Sequence, residues 1–566
     1  AMTITKQAAI TVLFLCIFAT SPALGSKKFL ADDSKHTYSS KTFHKDIMTA
    51  TGFMLGCGGE VTHEHLASIE KALLPMWHTL PKNNGRIDRR SLRYLVHRHF
   101  MQTSSLMIRG FEPTRPVNDS HWGVADILSQ EVPAYVESVL ESSQARQYGF
   151  VLQDAVHMVV MLERLIFDSE ATLLERIYAH QGKRKQQTLS HEGLLEVLKD
   201  YILSWVGGAD IQDIEKLKTD KKTLEDAIPQ LDSLMHFVEG RITAFQYARA
   251  RKPQVQHGES MLLNQYSFDD AHEIVAGITR SFQSYWESEC TVMKMSLVAL
   301  DTHNTGRVPL SQFYQTTIDG EWRFGESEAY LRELGALDET SPRLEGPQVI
   351  IPNYIQATSN CIVSTEHYHV CCVSECEALL GEIELAMGAP TALPSDLLPV
   401  VGNMTSQTTV DDDEPPLLDE NLVGQLEEVA KLHGGMVPLH GRLFAQWLHY
   451  VYPRECPFPH KMGMVTSVTP NQYGDEFIAT DEAMRKYARN ATASSIPESV
   501  SKEELQWMSQ WSSDEELIVD YSSEFGMRAE TKMVLAVGGL LLIAGGIYGG
   551  VVSLSRKDGS EPKWSV

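Results

Sequence analysis

Residues 301–312 read DTHNTGRVPLSQ, and the reading of this stretch decides the fold. Gly306 holds the sixth place, where a sharp turn needs a residue that adopts positive φ without strain. Val308 holds the eighth. A long helical run, residues 265–300, ends in Met293, Met295, Leu297 and Leu300, and a second helix starts just beyond the turn. The pattern recurs. Gly85-Arg86-Ile87 is followed by Ser91-Leu92, and Gly435-Met436-Val437-Pro438-Leu439 by Leu443-Phe444. Outward from these turns the helical period dominates. Leu66, Ile69, Leu73, Trp77 and Leu80 fall on one face, and Leu92, Leu95, Val96 and Phe100 point inward on the next helix. Residues 124–141, 150–180 and 191–206 continue in this style, and Val156 to Leu162 are apolar nearly all round, which predicts a central core helix. Residues 207–230 are charged, a helix or a solvated connection. Residues 347–357 fit a short strand or an extended loop, and their prolines place any strand at a sheet edge. The expected fold is mainly α, a helical ectodomain of helix–loop–helix units with little strand.

A helix, a loop with glycine at its sixth and an aliphatic residue at its eighth place, and a second helix resemble the EF-hand. The aliphatic residue of such a loop pairs with its counterpart in a partner loop. A calcium loop also needs oxygen ligands at its first, third and fifth places and a bidentate Glu at its twelfth. Residues 301–312 offer Asp301, His303, Thr305, the Arg307 carbonyl and Gln312, with one carboxylate and no charged clamp. The loop at Gly85 begins at Leu80 and offers Lys82 and Asn84, and the loop at Gly435 has no carboxylate. The resemblance is to the scaffold more than to the ion site. A weak calcium loop at Asp301, a helix pair held by packing alone, and a plain glycine helix cap remain open as readings.

Both ends of the chain are written for a membrane. Residues 8–19 are apolar behind Lys6, and Ala23-Leu24-Gly25 follows, as in a secretory signal peptide cleaved after Gly25. Residues 533–552, MVLAVGGLLLIAGGIYGGVV, carry no charge and span about 30 Å as a helix, the thickness of a bilayer core. Arg556 and Lys557 behind them place the tail on the cytoplasmic side. The expectation is a type I single-pass protein of the secretory pathway, at the plasma membrane or an endomembrane, with its ectodomain extracellular or luminal. Gly545 with Gly549 forms a GxxxG pair. A homodimer through that face and the ordinary abundance of glycine in membrane helices account for it equally well. Asn118, Asn403 and Asn490 begin glycosylation sequons. The formal charge of −25 over 566 residues argues against nucleic acid and fits a solvated acidic surface. The expected organisation is a mobile segment at 26–60, helical domains at 61–255 and 256–403, an acidic linker at 404–420, a third helical unit at 421–490, a stalk at 491–532, the span at 533–553 and a tail at 554–566.

Seven of the eight cysteines remain after cleavage of the leader, which removes Cys16. His367, His369, Cys371, Cys372 and Cys376 lie within ten residues. Imidazole and thiolate suit zinc or copper, but no C-x-x-C is present, and in a secreted chain such a cluster favours disulfides. Adjacent Cys371 and Cys372 are expected to take different partners, Cys361 and a distant cysteine, with Cys456 a candidate. The odd count leaves one thiol unpaired or bound elsewhere.

No catalytic motif is complete. His63-Glu64, His191-Glu192 and His272-Glu273 lack the second histidine of H-E-x-x-H, Gly182-Lys183 lacks the rest of a P-loop, and no G-x-S-x-G occurs. Several segments resemble an uncharacterised family of single-pass secretory-pathway proteins of microbial eukaryotes with degenerate EF-hand-like repeats. They are Leu80-Pro81-Lys82-Asn83 through Gly85-Arg86 with Arg93-Tyr94, Arg109-Gly110-Phe111-Glu112-Pro113, Leu162-Glu163-Arg164-Leu165, Val370-Cys371-Cys372 with Glu375-Cys376-Glu377, and Pro438-Leu439-His440-Gly441-Arg442-Leu443-Phe444 with Cys456-Pro457. That resemblance implies an organisation and an EF-hand-like label rather than a reaction. The function expected is a non-enzymatic, glycosylated, membrane-anchored ectodomain that binds a protein partner. The alternatives are a calcium-binding form centred on Asp301 and a Cys/His metal-binding or redox protein.

Overall fold

Short polar residues start the helices where the sequence supplies them. Asp88, Ser190, Ser267 and Asp419 each accept a backbone N–H of the following turn, so the first helical donors are satisfied. The computed structural model describes residues 62–112, 149–208, 210–219, 231–250, 265–315, 321–340, 346–365, 367–405, 415–491 and 510–519 with Tyr521, plus isolated positions between. The expected leader, mobile segment, span and tail lie outside the described residues, as do Cys57, Asn118, Gly545, Gly549 and most of the acidic linker. The chain is mainly helical, and strand is confined to segments of two or three residues. Among the described residues no helix is long and apolar enough to cross a membrane.

The helices used below are α1 (His63–Thr79), α2 (Arg89–Ser104), α3 (Leu152–His180), α4 (His191–Trp205), α5 (Ile214–Thr219), α6 (Leu231–Ala250), α7 (Phe268–Val298), α8 (Leu310–Phe313), α9 (Glu328–Glu333), α10 (Ile351–Ile355), α11 (Glu375–Met387), α12 (Pro394–Val401), α13 (Glu420–Leu432), α14 (Arg442–Val451) and α15 (Asp481–Ala491). The strands are β1 (Leu106–Ile108), β2 (Arg307–Pro309), β3 (Leu337–Asp338), β4 (Gln348–Ile350), β5 (Val363–Ser364), β6 (Tyr368–Val370), β7 (Thr391–Ala392) and β8 (Val437–Pro438).

Eight loops meet in four antiparallel pairs. Ile87 bridges Phe150, Leu189 bridges Tyr266, Val308 pairs with Val349 between β2 and β4, and Val437 pairs with Ala392 between β8 and β7. All eight residues are buried. In seven of the loops the next helix begins two residues after the pairing residue, at Arg89, Leu152, His191, Phe268, Leu310, Ile351 and Pro394. After Val437 the helix waits until Arg442. The pairing residue thus ties two loops together and plugs the base of the helix that follows. An aliphatic or aromatic side chain of this kind contributes about 1.5–3 kcal/mol by leaving water. Three of these turns, at Gly85, Gly306 and Gly435, are the ones the glycine pattern predicts.

β4 corrects the placement of residues 347–357. It is the central strand of the sheet β2-β4-β3, not an edge. Pro347 and Pro352 flank the strand and do not interrupt it, so no ladder donor is lost inside it.

Contacts cross the expected boundary at residue 255. β1 pairs with β6, Leu106 opposite Val370 and Ile108 opposite Tyr368. α11 packs on α1 as well as on α12. Residues from 62 onward belong to one compact unit. Part of the expected stalk also lies on this unit. Residues 510–519 run along the start of α14, with a bridge between Gly441 and Leu517, and Val519 and Tyr521 are fully buried.

The disulfides are Cys361–Cys371, Cys290–Cys372 and Cys376–Cys456. Adjacent Cys371 and Cys372 do take different partners. The distant partner of Cys372 is Cys290 of α7, while Cys456 joins Cys376 instead.

Candidate functional site

The loop 301–312 follows α7 directly, and its first residue is held rigidly. Asp301 is buried. Its Oδ1 accepts the Thr305 amide at 2.9 Å and the Thr305 hydroxyl at 3.0 Å. Its Oδ2 accepts the Gly306 amide at 2.8 Å and Nε of Arg454 at 3.0 Å. An ionised carboxylate has about four lone-pair sites, and all four are in use. Arg454 also donates from Nη2 to the Asp301 carbonyl at 2.6 Å. A guanidinium from 153 residues away therefore stands over the acid of the loop.

The segment that brings it is pressed against the loop. Gly306 has φ 68°, and a Cβ there would lie 1.9 Å from the Pro453 carbonyl oxygen, so both its conformation and its neighbour demand glycine. Cys456, two residues beyond Arg454, is bonded to Cys376 at the start of α11. Nδ1 of His449 meets the Cys456 carbonyl at 2.7 Å. Burial lowers the pKa of that histidine to about 3, so it is neutral at ordinary pH.

The other expected ligands are spread over separate contacts. His303 meets the Thr302 hydroxyl through Nδ1 at 2.9 Å. The Thr305 hydroxyl is committed to Asp301. Arg307 lies in β2 opposite Ile350, and its guanidinium pairs with fully buried Asp338 at 2.9 Å and donates to the Thr305 carbonyl at 3.1 Å. Gln312 sits in the single turn of α8 and is half-buried.

The loop before α14 is the reverse case. It has no carboxylate, and its last residue, Gly441, is the N-cap of α14 without a side chain to cap it. Glu515 reaches in from the segment 510–519. Its Oε1 accepts the Leu443 amide at 3.1 Å, and its Oε2 meets Nε2 of His433 at 2.7 Å. A carboxylate there supplies the missing cap and complements the positive end of the helix. In the first loop Lys82 donates to the Leu80 carbonyl at 2.9 Å and to the Trp77 carbonyl, where α1 ends. Its ammonium satisfies carbonyls that the helix leaves without donors.

The cysteine–histidine cluster is not a thiolate site. Cys371, Cys372 and Cys376 are all in disulfides. His369 is buried in β6 opposite Met107, and burial lowers its pKa to about 4. Among the described residues no three of His, Cys, Asp and Glu gather as a metal ion would require. Of the sequons, Asn403 is exposed, and its Nδ2 donates to the Pro399 carbonyl at 2.7 Å.

Two buried groups escaped sequence reading because their partners are remote. Fully buried Arg98 of α2 pairs with Glu377 and Glu384 of α11. His440 stands beside them, 3.2 Å from the Tyr94 hydroxyl and 3.0 Å from that of Thr79. Burial, with the Arg98 charge, holds His440 well below the usual histidine range. Glu170 of α3 faces the Tyr368 hydroxyl at 3.4 Å, and burial raises its pKa to about 7. A charged residue inside an otherwise apolar helix face is the one signal that marked Arg98 and Glu170.

No protein-family model, curated protein or solved structure matches this chain.

Proposed function

We propose that this chain is a non-enzymatic, membrane-anchored ectodomain built from EF-hand-like pairs whose loops hold protein side chains in place of calcium, and that it works by binding another protein. The observation that carries this reading is the Asp301–Arg454 pair. The one carboxylate of the best loop already has four hydrogen bonds, and one of them comes from a permanent cation. Calcium would have to displace a guanidinium and break the bonds that shape the loop. The pairing of eight loops through one buried residue each supports the EF-hand-like label. The apolar run at 533–552 and the exposed sequon at Asn403 support a secretory-pathway anchor with this part outside the cytosol. A family of such proteins in microbial eukaryotes remains the proposed kinship.

The test is thermal unfolding of the full chain in detergent, with millimolar calcium and with chelator. The expected result is the same melting temperature in both. A ligand that binds only the folded state stabilises it, so a rise with calcium that Asp301→Ala abolishes would overturn the reading in favour of a calcium-binding protein. In Arg454→Leu, which removes the competing cation, any latent calcium response should first emerge.

A further inference from the structure

A cavity of about 270 Å³ lies where six parts of the chain meet: β1, the end of α9, the end of α10, the start of α14, the segment 457–467 and the C-terminal segment at Glu516 and Ile518. Its wall is mostly apolar, with Met107, Leu334, Phe458, Met462, Val465 and Ile518. Four of the eight polar side chains at the wall are committed to the protein. The Arg442 guanidinium makes five contacts, to the Asp514, Ser512 and Pro459 carbonyls and to the Gln446 amide oxygen, which accounts for its five N–H groups. Asn353 donates to the Gly335 and Phe458 carbonyls and accepts the Phe458 amide. His460 meets the Gly335 carbonyl at 2.7 Å, and Thr358 donates to the Val468 carbonyl at 3.0 Å. Gln356, Glu516 and the exposed Thr466 and Ser467 remain to meet a ligand, Glu516 with one oxygen on the Met462 amide.

The Glu516 carboxylate is offset by the Arg442 guanidinium beside it, so a charged molecule placed here would lose its water for a counter-charge that is already compensated, which is costly. An apolar one would lose nothing. The volume exceeds the ~150 Å³ of an apolar cavity that takes benzene, and approaches the lower range for small-molecule pockets, roughly 300 Å³. Met107 and Met462 adapt their shape to what enters. We propose that this cavity binds an uncharged, mostly apolar molecule with a single hydrogen-bonding end at Gln356, of the kind a medium-chain alcohol or one chain of a lipid presents. The site lies apart from the Asp301 loop and shares the segment 510–519 with the loop before α14. The apolar run begins at Met533, twelve residues after Tyr521, so the bilayer is one source of such a chain and the aqueous phase is the other.

The experiment uses the full chain in phosphatidylcholine nanodiscs. One arm adds a medium-chain alcohol carrying a diazirine, and the other places the diazirine on an acyl chain of the phosphatidylcholine. After illumination, peptides are mapped for label. The expected result is label on peptides containing Met107, Phe458 or Met462 in at least one arm, with competition by unlabelled alcohol. Label from the alcohol assigns a soluble source, and label from the lipid assigns the membrane. Ala357→Trp, which fills the cavity, should lose the label. Val465→Trp, nearer the surface, does the same if the first variant fails to fold. Gln356→Leu should lose competition by the alcohol and keep competition by the corresponding alkane. Absence of label on these peptides in both arms, or label undiminished in a folded tryptophan variant, would overturn the proposal.

Discussion

The loop 301–312 and the loop that ends at Gly441 are opposite solutions to one problem. The first carries an acid and receives a base, Arg454, from a distant segment. The second carries no acid and receives one, Glu515, from another distant segment. In both, the loop is a socket completed by a part of the chain that local sequence does not reveal. They differ in how the plug is held. The segment with Arg454 is fastened by Cys376–Cys456, whereas that with Glu515 is fastened by hydrogen bonds, among them Arg442 on the Asp514 carbonyl at 2.6 Å and the His440 amide on the Tyr521 hydroxyl at 2.9 Å. A covalent plug makes its loop a fixed part of the core, and a hydrogen-bonded plug leaves its loop separable from it.

The largest way to break this contrast is to cut the covalent fastening. Cys376→Ser with Cys456→Ser releases a crosslink between residues 80 apart, and the expected loss is about 4 kcal/mol in urea unfolding. Hydrogen exchange should then quicken at Thr305 and Gly306, while Leu443 keeps its protection. If Leu443 quickens equally, the two sockets are not independent.

Next is the plug itself. Arg454→Leu leaves the buried Asp301 carboxylate without its cation, and the expected cost is about 3 kcal/mol. Adding Asp301→Asn should recover part of it, and a double-mutant cycle measures the coupling.

Acid sharpens the comparison from the side of His449. Its pKa is lowered to about 3, and those of His99 and His369 to about 4, by burial. Each binds its proton more readily unfolded than folded. The stability they contribute is present above about 6.5 and is lost as pH falls toward their folded values, on the order of a few kcal/mol in total. Glu170, raised to about 7, acts in the other direction, losing stability as pH rises from about 4.5 toward 7. Unfolding measured from pH 4 to 7 in the parent chain and in His449→Leu should show that the variant gains less stability with rising pH than the parent.

The smallest effect is expected at the second socket. Glu515→Gln weakens the cap of α14 and should cost about 1 kcal/mol. Exchange should quicken at Leu443 with Thr305 unchanged.

Much of the scaffold was legible in sequence, because an apolar residue every third or fourth place has few other meanings. Three loops were legible because each carries glycine before an aliphatic residue. The loops of Leu189, Val349 and Ala392 have Gln187, Pro347 and Pro390 at the equivalent place, so nothing local marks them. Contacts across the expected boundary at residue 255 were illegible for a related reason. The pairing of β1 with β6 joins residues more than 250 positions apart, and a three-residue strand is too short to announce itself. At the candidate site Asp301 was legible and Arg454 was not, since an arginine among prolines and a cysteine reads as an exposed charge until the fold brings it to an acid.

The neighbouring cysteines have a consequence for oxidative folding. Cys371 closes a ring of ten residues with Cys361, and Cys372 bonds Cys290, 82 positions away. A wrong ring from Cys361 to Cys372 is longer by a single residue, so chain entropy scarcely separates the two closures. What distinguishes them in the folded chain is α7, whose Cys290 is placed beside Cys372. The correct pair of closures is therefore expected to win only in the folded chain, where the packing of α7 brings Cys290 to Cys372.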